Sequence, residues 1–387
     1  MSLTNWTRCK IGDRIEFIYG KGLPKKKRNL SGKFPVYGSN GIVDFHDEFL
    51  VAEPSIIVGR KGAAGKIHIT NKPFWPIDTT YFVTPPEDIN LNFLFYYLQT
   101  LKLEKHDRST AIPGLNREDA YSQELIYPSL EVQQQIVSKI EELFSELDKG
   151  IESLQKAKKL LKTYRQAVLK AAFEGKLVNE NGKWEWVNIQ RLAKGEKHSI
   201  KAGPFGSSLK KEFYVRDGYK IYGQEQVINN DPNYGNYCIS KTKFKELESN
   251  KISPFDVLIS LVGTVGKILI LPENCKEGII NPRLIKISLN RDFYLPKFFK
   301  YYFEGPVAKA YYSSKASGTT MDVLNLGIIK GMSFPLCSLG LQEKIIQEIE
   351  SRLSVCDHIE KGINDGLQPA EVLRQSILKK AFEGRLV

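Results

Sequence analysis

The sequence predicts an α/β (α+β) protein: two globular domains of mixed α and β structure, separated by an antiparallel coiled coil of two long helices and related by an internal pseudo-twofold. Three observations carry this prediction. Ala172-Phe173-Glu174-Gly175-Lys176-Leu177-Val178 returns 209 residues later as Ala381-Phe382-Glu383-Gly384-Arg385-Leu386-Val387. An apolar stripe at coiled-coil spacing precedes each copy. Outside the stripes lie short β-like runs broken by glycine. A period of this length is far beyond the roughly 20 to 50 residues of solenoid repeats, so the repeated unit is a domain with its own core.

The first domain occupies residues 1–129. Within it, Ile56-Ile57-Val58 and Ile67 flank Gly59-Arg60-Lys61-Gly62-Ala63-Ala64-Gly65-Lys66, which reads as a strand, a glycine-containing hairpin turn and a second strand. The first long helix follows over 130–178, with Ile136, Ile140, Leu143, Leu147, Leu154, Leu161 and Val168 on its a/d stripe. Ala157, Tyr164 and Ala171 fill intervening positions. Some 40 residues at ~1.5 Å each make a rod of ~60 Å, longer than a small domain is wide. Two such rods in one chain pair most simply with each other, antiparallel, with a domain at either end.

The second domain occupies 184–338 and repeats the framework of the first. Leu258 to Ile268 matches Ile56 to Ile67 in character, with Gly62/Gly263, Gly65/Gly266 and Lys66/Lys267 in step. Trp6 and Trp186 mark the two domain starts, and Leu115-Asn116 and Leu324-Asn325 precede Pro128 and Pro335 near the ends. The rest of the two domains diverges, as expected for one scaffold with two specificities. The second long helix covers 339–387 with Ile345, Ile349, Ile359, Ile363, Leu373 and Ile377 in the same phase, weakened by Arg352 and Cys356. Pro369, which lacks an amide hydrogen, should kink or break it. Gly175 and Gly384 stand where left-handed C-caps are expected.

Composition narrows the function. The 387 residues are 42% hydrophobic and 26% charged, ordinary for a soluble protein of two domains. Val257 to Leu271, the longest apolar stretch, is interrupted by Lys267 and is too short to span a membrane. No signal-peptide pattern follows the N-terminus, so a cytoplasmic location without membrane association is expected. Cys9, Cys238, Cys275, Cys337 and Cys356 are scattered and odd in number, which argues against a disulfide framework or a zinc site. Net charge is +12, and the repeated helical segments contribute +2 and −1, leaving +11 on the globular regions. A polyanionic partner, nucleic acid before membrane, follows.

No catalytic constellation is found. Gly59-x-x-Gly62-x-x-Gly65-Lys66 has neither the spacing nor the strand-to-helix setting of a phosphate loop. Glu174-x-Lys176 with Asp148 is a poor nuclease candidate at a solvated helix end, and Asn281-Pro282-Arg283 lacks the aromatic partner that would stack a flipped base. His46, His68, His106, His198 and His358 show no metal-like spacing. What remains is basic loops interleaved with aromatics and amides, in which Lys and Arg hold phosphates while Asn, Gln and Arg pair with base edges. Lys25, Lys26, Lys27 and Arg28 form either a solvated loop or a DNA contact, and Asn40, Arg60, Lys61 and Lys66 complete the set of the first domain. In the second, Lys210, Lys211, Gln224, Gln226, Lys267, Asn281, Arg283, Lys315, Thr319 and Thr320 are comparable. Phe173, Leu177, Phe382 and Leu386 are expected to pack against a partner or the other helix, with packing inside the chain as the alternative.

Tyr37-Gly38-Ser39-Asn40-Gly41, Gly59-Arg60-Lys61-Gly62, Gly203-Pro204-Phe205-Gly206-Ser207-Ser208-Leu209 and the two Ala-Phe-Glu-Gly endings occur in an order that resembles the specificity subunit of type I restriction-modification enzymes, over essentially the whole chain. The resemblance implies two target-recognition domains, each reading one half of a split, asymmetric site in double-stranded DNA, held apart by paired spacer helices. It implies a non-catalytic chain that binds no cofactor. Two methyltransferase subunits would use S-adenosylmethionine, and translocating restriction subunits would use ATP and magnesium. Domains related by a pseudo-twofold suit half-sites about one helical turn apart. A helical turn inserted or deleted near Gly150 should then change the gap and leave both halves unchanged. The rival readings are an autonomous DNA enzyme and a coiled-coil adaptor that binds protein only.

Overall fold

The computed structural model describes residues 6–106, 114–179, 183–316 and 324–387. The chain divides into two compact units, Met1–Gln155 with Asn364–Val387, and Lys156–Ile363. Five helices organise them: α1 (Leu91–Thr100), α2 (Leu130–Phe173), α3 (Pro296–Phe303), α4 (Leu339–Leu367) and α5 (Ala370–Phe382). The division falls inside α2 and α4. Unit 1 therefore combines the first globular domain with the start of α2 and with α5, and unit 2 combines the end of α2 with the second globular domain and most of α4.

The repeated Ala-Phe-Glu-Gly motif is a helix stop. After Phe173 and Phe382 the chain turns through left-handed glycines, Gly175 at φ +70° and Gly384 at φ +68°. The Lys176 amide reaches back to the Ala171 carbonyl and the Arg385 amide to the Lys380 carbonyl, both at 2.9 Å, the Schellman arrangement that uses up orphan carbonyls. The first helix thus ends at Phe173 instead of running to 178. The second expected helix is two, interrupted at Gln368-Pro369, where the proline ring opposes helical geometry in the preceding residue.

Within unit 1 the partners fall along one helix as they rise along the other: Asp148 binds Arg374, and Leu154 faces Gly366. Within unit 2, Arg165 reaches Asp357 at 2.7 Å and Glu360 at 2.9 Å. The stripe differs from expectation in its second half. Ile359, Leu373 and also Tyr164 are exposed, whereas Cys356 is buried. The buried line is Ile349, Cys356 and Ile363, which keeps a spacing of seven residues.

The sheets of the two units correspond one to one. In unit 1, Thr7–Lys10 pairs with Glu124–Tyr127, and in unit 2 Glu185–Asn188 pairs with Ser333–Leu336. A four-stranded sheet follows in the order Ile18–Tyr19, Thr80–Val83, Ser55–Gly59, Ile67–Thr70. Its counterpart runs Ile200–Ala202, Leu284–Ile287, Val257–Ser260, Ile268–Ile270. In the remaining sheet of each unit one parallel pair recurs, Phe34–Gly38 with Trp75–Pro76 and Tyr219–Tyr222 with Gly278–Ile280. Central strands such as Ser55–Gly59 and Val257–Ser260 are buried throughout, as sheets covered on both faces require.

Each long helix is anchored to its domain by one buried glutamine. Gln133 Nε2 donates to the carbonyls of Asp88 and Pro128, and its Oε1 accepts from the Asn90 amide at 2.7 Å. Gln342 repeats this with the carbonyls of Phe293 and Cys337 and the Leu295 amide at 2.9 Å. The five cysteines are free, with Cys337 and Cys356 buried. Among the described residues no helix is long and apolar enough to cross a membrane.

Candidate nucleic-acid interface

The glycine turn is built identically in both units. In unit 1 the Gly59 amide donates to Lys66 O at 2.7 Å and the Gly65 amide to Gly59 O at 2.8 Å; in unit 2 the Ser260 amide donates to Lys267 O and the Gly266 amide to Ser260 O, both at 3.0 Å. Gly62, Gly65, Gly263 and Gly266 have φ between +74° and +81°, which side chains with a Cβ rarely adopt. The chain returns to each turn at the leucine of the repeated Leu-Asn pair: the Leu115 amide binds Arg60 O and the Leu324 amide binds Leu261 O. Glycines at different positions of the turn nevertheless differ in room. A Cβ on Gly65 would lie 2.2 Å from the Glu104 nitrogen, whereas one on Gly263 would meet nothing within 4 Å. Gly65→Ala should therefore cost about 3 kcal/mol, combining left-handed strain with overpacking, and Gly263→Ala about 1 kcal/mol. Urea midpoints of the two variants would test this; equal losses would refute it.

In unit 1 the turn meets the hairpin of Phe34–Gly38 and Gly41–His46, so two sequence motifs converge. Lys66 Nζ donates to Asn40 Oδ1 at 2.5 Å. Asn40 is exposed at the hairpin tip, and Gly41 (φ +107°) lies over His68, where a Cβ would be 3.3 Å from Cε1. Burial pushes the His68 imidazole below its ordinary pKa and Lys66 adds to this, against a hydrogen bond with the Ser39 backbone. Lys61 is exposed. Arg60 is not presented in the same way: it is half-buried, donates Nε and a terminal nitrogen to Asp78 O at 3.0 and 2.5 Å, and lies over the Tyr19 ring. Lys25, Lys26 and Lys27 form an exposed 3-10 turn, while Arg28 Nε binds Leu23 O at 2.9 Å.

In unit 2 the turn gathers Gln224, Asn281 and Arg283. Gln224 Nε2 donates to Ser260 Oγ at 2.9 Å and to Val262 O, and its Oε1 faces Arg283 at 3.4 Å. Asn281 Oδ1 accepts from the Arg283 amide at 2.9 Å, leaving the exposed Arg283 side chain beside the exposed Lys267 turn. Gln226 must be corrected. It is buried; its Oε1 accepts from the Gly223 amide at 2.7 Å and its Nε2 donates to Tyr234 O at 2.5 Å, so no amide edge remains for a base. Lys210 and Lys211 are exposed, the former 3.6 Å from Glu212, and Lys315 is exposed at the end of the helix Pro306–Ala316. Thr319 and Thr320 lie outside the described residues.

Phe173, Leu177, Phe382 and Leu386 pack inside their own units. Phe173 lies 5.1 Å from Phe298 and 5.2 Å from Tyr302, ring to ring; Phe382 lies 5.2 Å from both Phe93 and Tyr97. Leu177 is buried and Leu386 packs half-buried against the unit 1 core. The acids Asp148 and Glu174 are engaged too, the first by Arg374 and the second by Lys176 and Lys170. Among the described residues no group of three or more His, Cys, Asp or Glu side chains could hold a metal ion.

Each unit thus presents one hairpin turn, locked on glycines and bordered by lysine, arginine and amide side chains that differ between units. This is one scaffold built twice. Residues 4–156 and 170–368 match the model of the type I restriction modification DNA specificity domain, and the chain belongs to that family. It is 26% identical over 273 residues to the type I restriction enzyme EcoBI specificity subunit of Escherichia coli, a match covering 67% of this chain and 57% of that protein. The EcoDI specificity subunit of the same organism is 23% identical over 408 residues, covering 99% and 89%. The chain therefore spans little more than half the length of several relatives and nearly all of another. Its fold is shared with the HsdS subunit from Thermoanaerobacter tengcongensis (TM-score 0.60, 17% identity, 99% and 97% covered). It is shared also with a chain solved in work on complex assembly and conformational transition of the type I R-M system (TM-score 0.72, 16% identity, 99% and 98% covered).

Proposed function

We propose that this chain is the DNA-recognition subunit of a type I restriction-modification system. Each globular domain binds one half of a bipartite, asymmetric site, and the helices set the gap between halves and carry two methyltransferase subunits. Methylation with S-adenosylmethionine and ATP- and magnesium-dependent cleavage then reside on partners. The observation that supports this reading best is the pair of identically built turns bordered by different side chains, Lys66 with Asn40 in one unit and Lys267 with Gln224 and Arg283 in the other. A common frame with divergent borders is what two half-sites of different sequence require, and +11 on the globular regions suits phosphate neutralisation.

Coexpression with the cognate methyltransferase, followed by sequencing of modified adenines, tests the proposal. The expected outcome is one split motif, and binding of the complex to that duplex should weaken steeply with salt. An unsplit motif would remove the two-reader model, and salt-independent binding would favour a protein-only adaptor.

A further inference from the structure

Two apolar side chains stand out from the surface. Phe205 is 87% exposed and Leu30 is 82% exposed, the largest values among the exposed large hydrophobic residues described. Single exposed apolar residues are common and need no function. These two, however, lie in the loops that follow corresponding strands of domains that have otherwise diverged. Leu30 lies in the loop after Ile18–Tyr19, the first strand of the four-stranded sheet in unit 1, and Phe205 in the loop after Ile200–Ala202, the matching strand in unit 2.

Both loops are tied to neighbouring backbone. Each opens on a glycine pressed against backbone: a Cβ on Gly20 would fall 2.2 Å from Ile77 O, and one on Gly203 1.8 Å from Asn281 O. Phe205 sits in extended geometry, φ −60° and ψ 146°, with its carbonyl accepting from the Ser208 amide at 2.8 Å. Leu30 tops an Asx turn in which Asn29 Oδ1 accepts from the Ser31 amide at 3.0 Å. The Asn29 side chain binds Asp47, and its amide binds Phe45 O at 2.9 Å. Exposed cations border both loops, Lys25, Lys26, Lys27 and Lys33 in one and Lys210 and Lys211 in the other; the Gly203 contact ties the latter to the Asn281-Arg283 segment.

On the recognition reading above, we infer that Phe205 and Leu30 are apolar wedges. Each presses into a base step of the half-site read by its own domain, while neighbouring lysines hold phosphates. Apolar side chains opening a stack in this way make specificity depend on how easily a step deforms, not only on base-edge hydrogen bonds. The phenyl ring can also stack on the freed base, so Phe205 carries the larger share.

The test uses the complex with methyltransferase and the duplex it modifies, carrying 2-aminopurine at successive positions other than the modified adenines. Phe205→Ala should bind on the order of 10- to 100-fold more weakly and lose the fluorescence rise in one half-site only. Phe205→Trp should retain both properties, and Leu30→Ala should show a smaller loss confined to the other half-site. Melting temperatures should match wild type, since these side chains bury little surface. An unchanged fluorescence profile in Phe205→Ala overturns the inference, as does release of methyltransferase by Phe205→Ala without DNA, which would make the ring a protein contact. Wild-type complex without salt-dependent, sequence-selective binding would refute the recognition reading itself.

Discussion

Gln133→Leu is expected to destabilise unit 1 by about 3–6 kcal/mol, and Gln342→Leu to do the same to unit 2. Leucine matches the volume but strands one amide and two carbonyls in each case, the groups of Asn90, Asp88 and Pro128 or of Leu295, Phe293 and Cys337. Both glutamines are fully buried, so water cannot substitute. A buried polar group left without a partner costs about 1–3 kcal/mol, and three such groups exceed any gain from an added apolar contact. Each glutamine also fastens the first turn of a long helix to the loop that starts α1 or α3, so its loss should loosen that joint before the sheets. Hydrogen exchange at Asn90 and Leu295 would report the loosening, and urea denaturation its magnitude. A loss under about 1 kcal/mol would mean that the joint re-forms around water, contrary to the packing described here.

These glutamines show what could and could not be read from the residues. The Gln133/Gln342 identity is visible once the Ala-Phe-Glu-Gly endings set the offset, but its meaning is hidden because every partner is a backbone atom, which leaves no trace in side-chain identity. The same reason hides the one-to-one match of the sheets: strand pairing uses backbone groups, so the parallel pair persists although Val36 in one unit is Ile221 in the other. Glycine is the exception, since φ values of +76° and +78° at Gly65 and Gly266 leave a mark in the sequence. In the candidate interface, Lys66 and Asn40 were legible as residue types, and the fold brings them together across 26 positions. Gln224 and Gln226 were indistinguishable by type and spacing. The turn of the helix Gln224–Asn229 sends one inward as a cap and leaves the other beside Arg283. Periodicity misled at Ile359 for a related reason, because hydrophobicity states a preference for burial and only the partner surface decides which line of the helix obtains it.

Phe173→Ala should cost unit 2 about 3–5 kcal/mol, and Phe382→Ala should cost unit 1 less, because Phe382 is half-buried and Phe173 is buried. Each ring meets two aromatic neighbours one turn apart on a domain helix: Phe298 and Tyr302 on α3, Phe93 and Tyr97 on α1. Truncation would remove both edge-to-face contacts and leave a cavity beside α3, whose surrounding side chains are held in one dense cluster and have little freedom to close it. The position in the chain makes the effect more than local. Phe173 closes α2, which begins in unit 1, and Phe382 closes α5, whose unit otherwise comes from the first part of the chain. The two rings thus fasten each unit to a helix that enters from outside its own globular domain. If they served only as contacts for a methyltransferase, the variants would keep wild-type stability and lose the partner. The core reading expects the reverse order: lowered urea midpoints in the chain alone, with weaker partner binding only as far as the loss of folded protein requires.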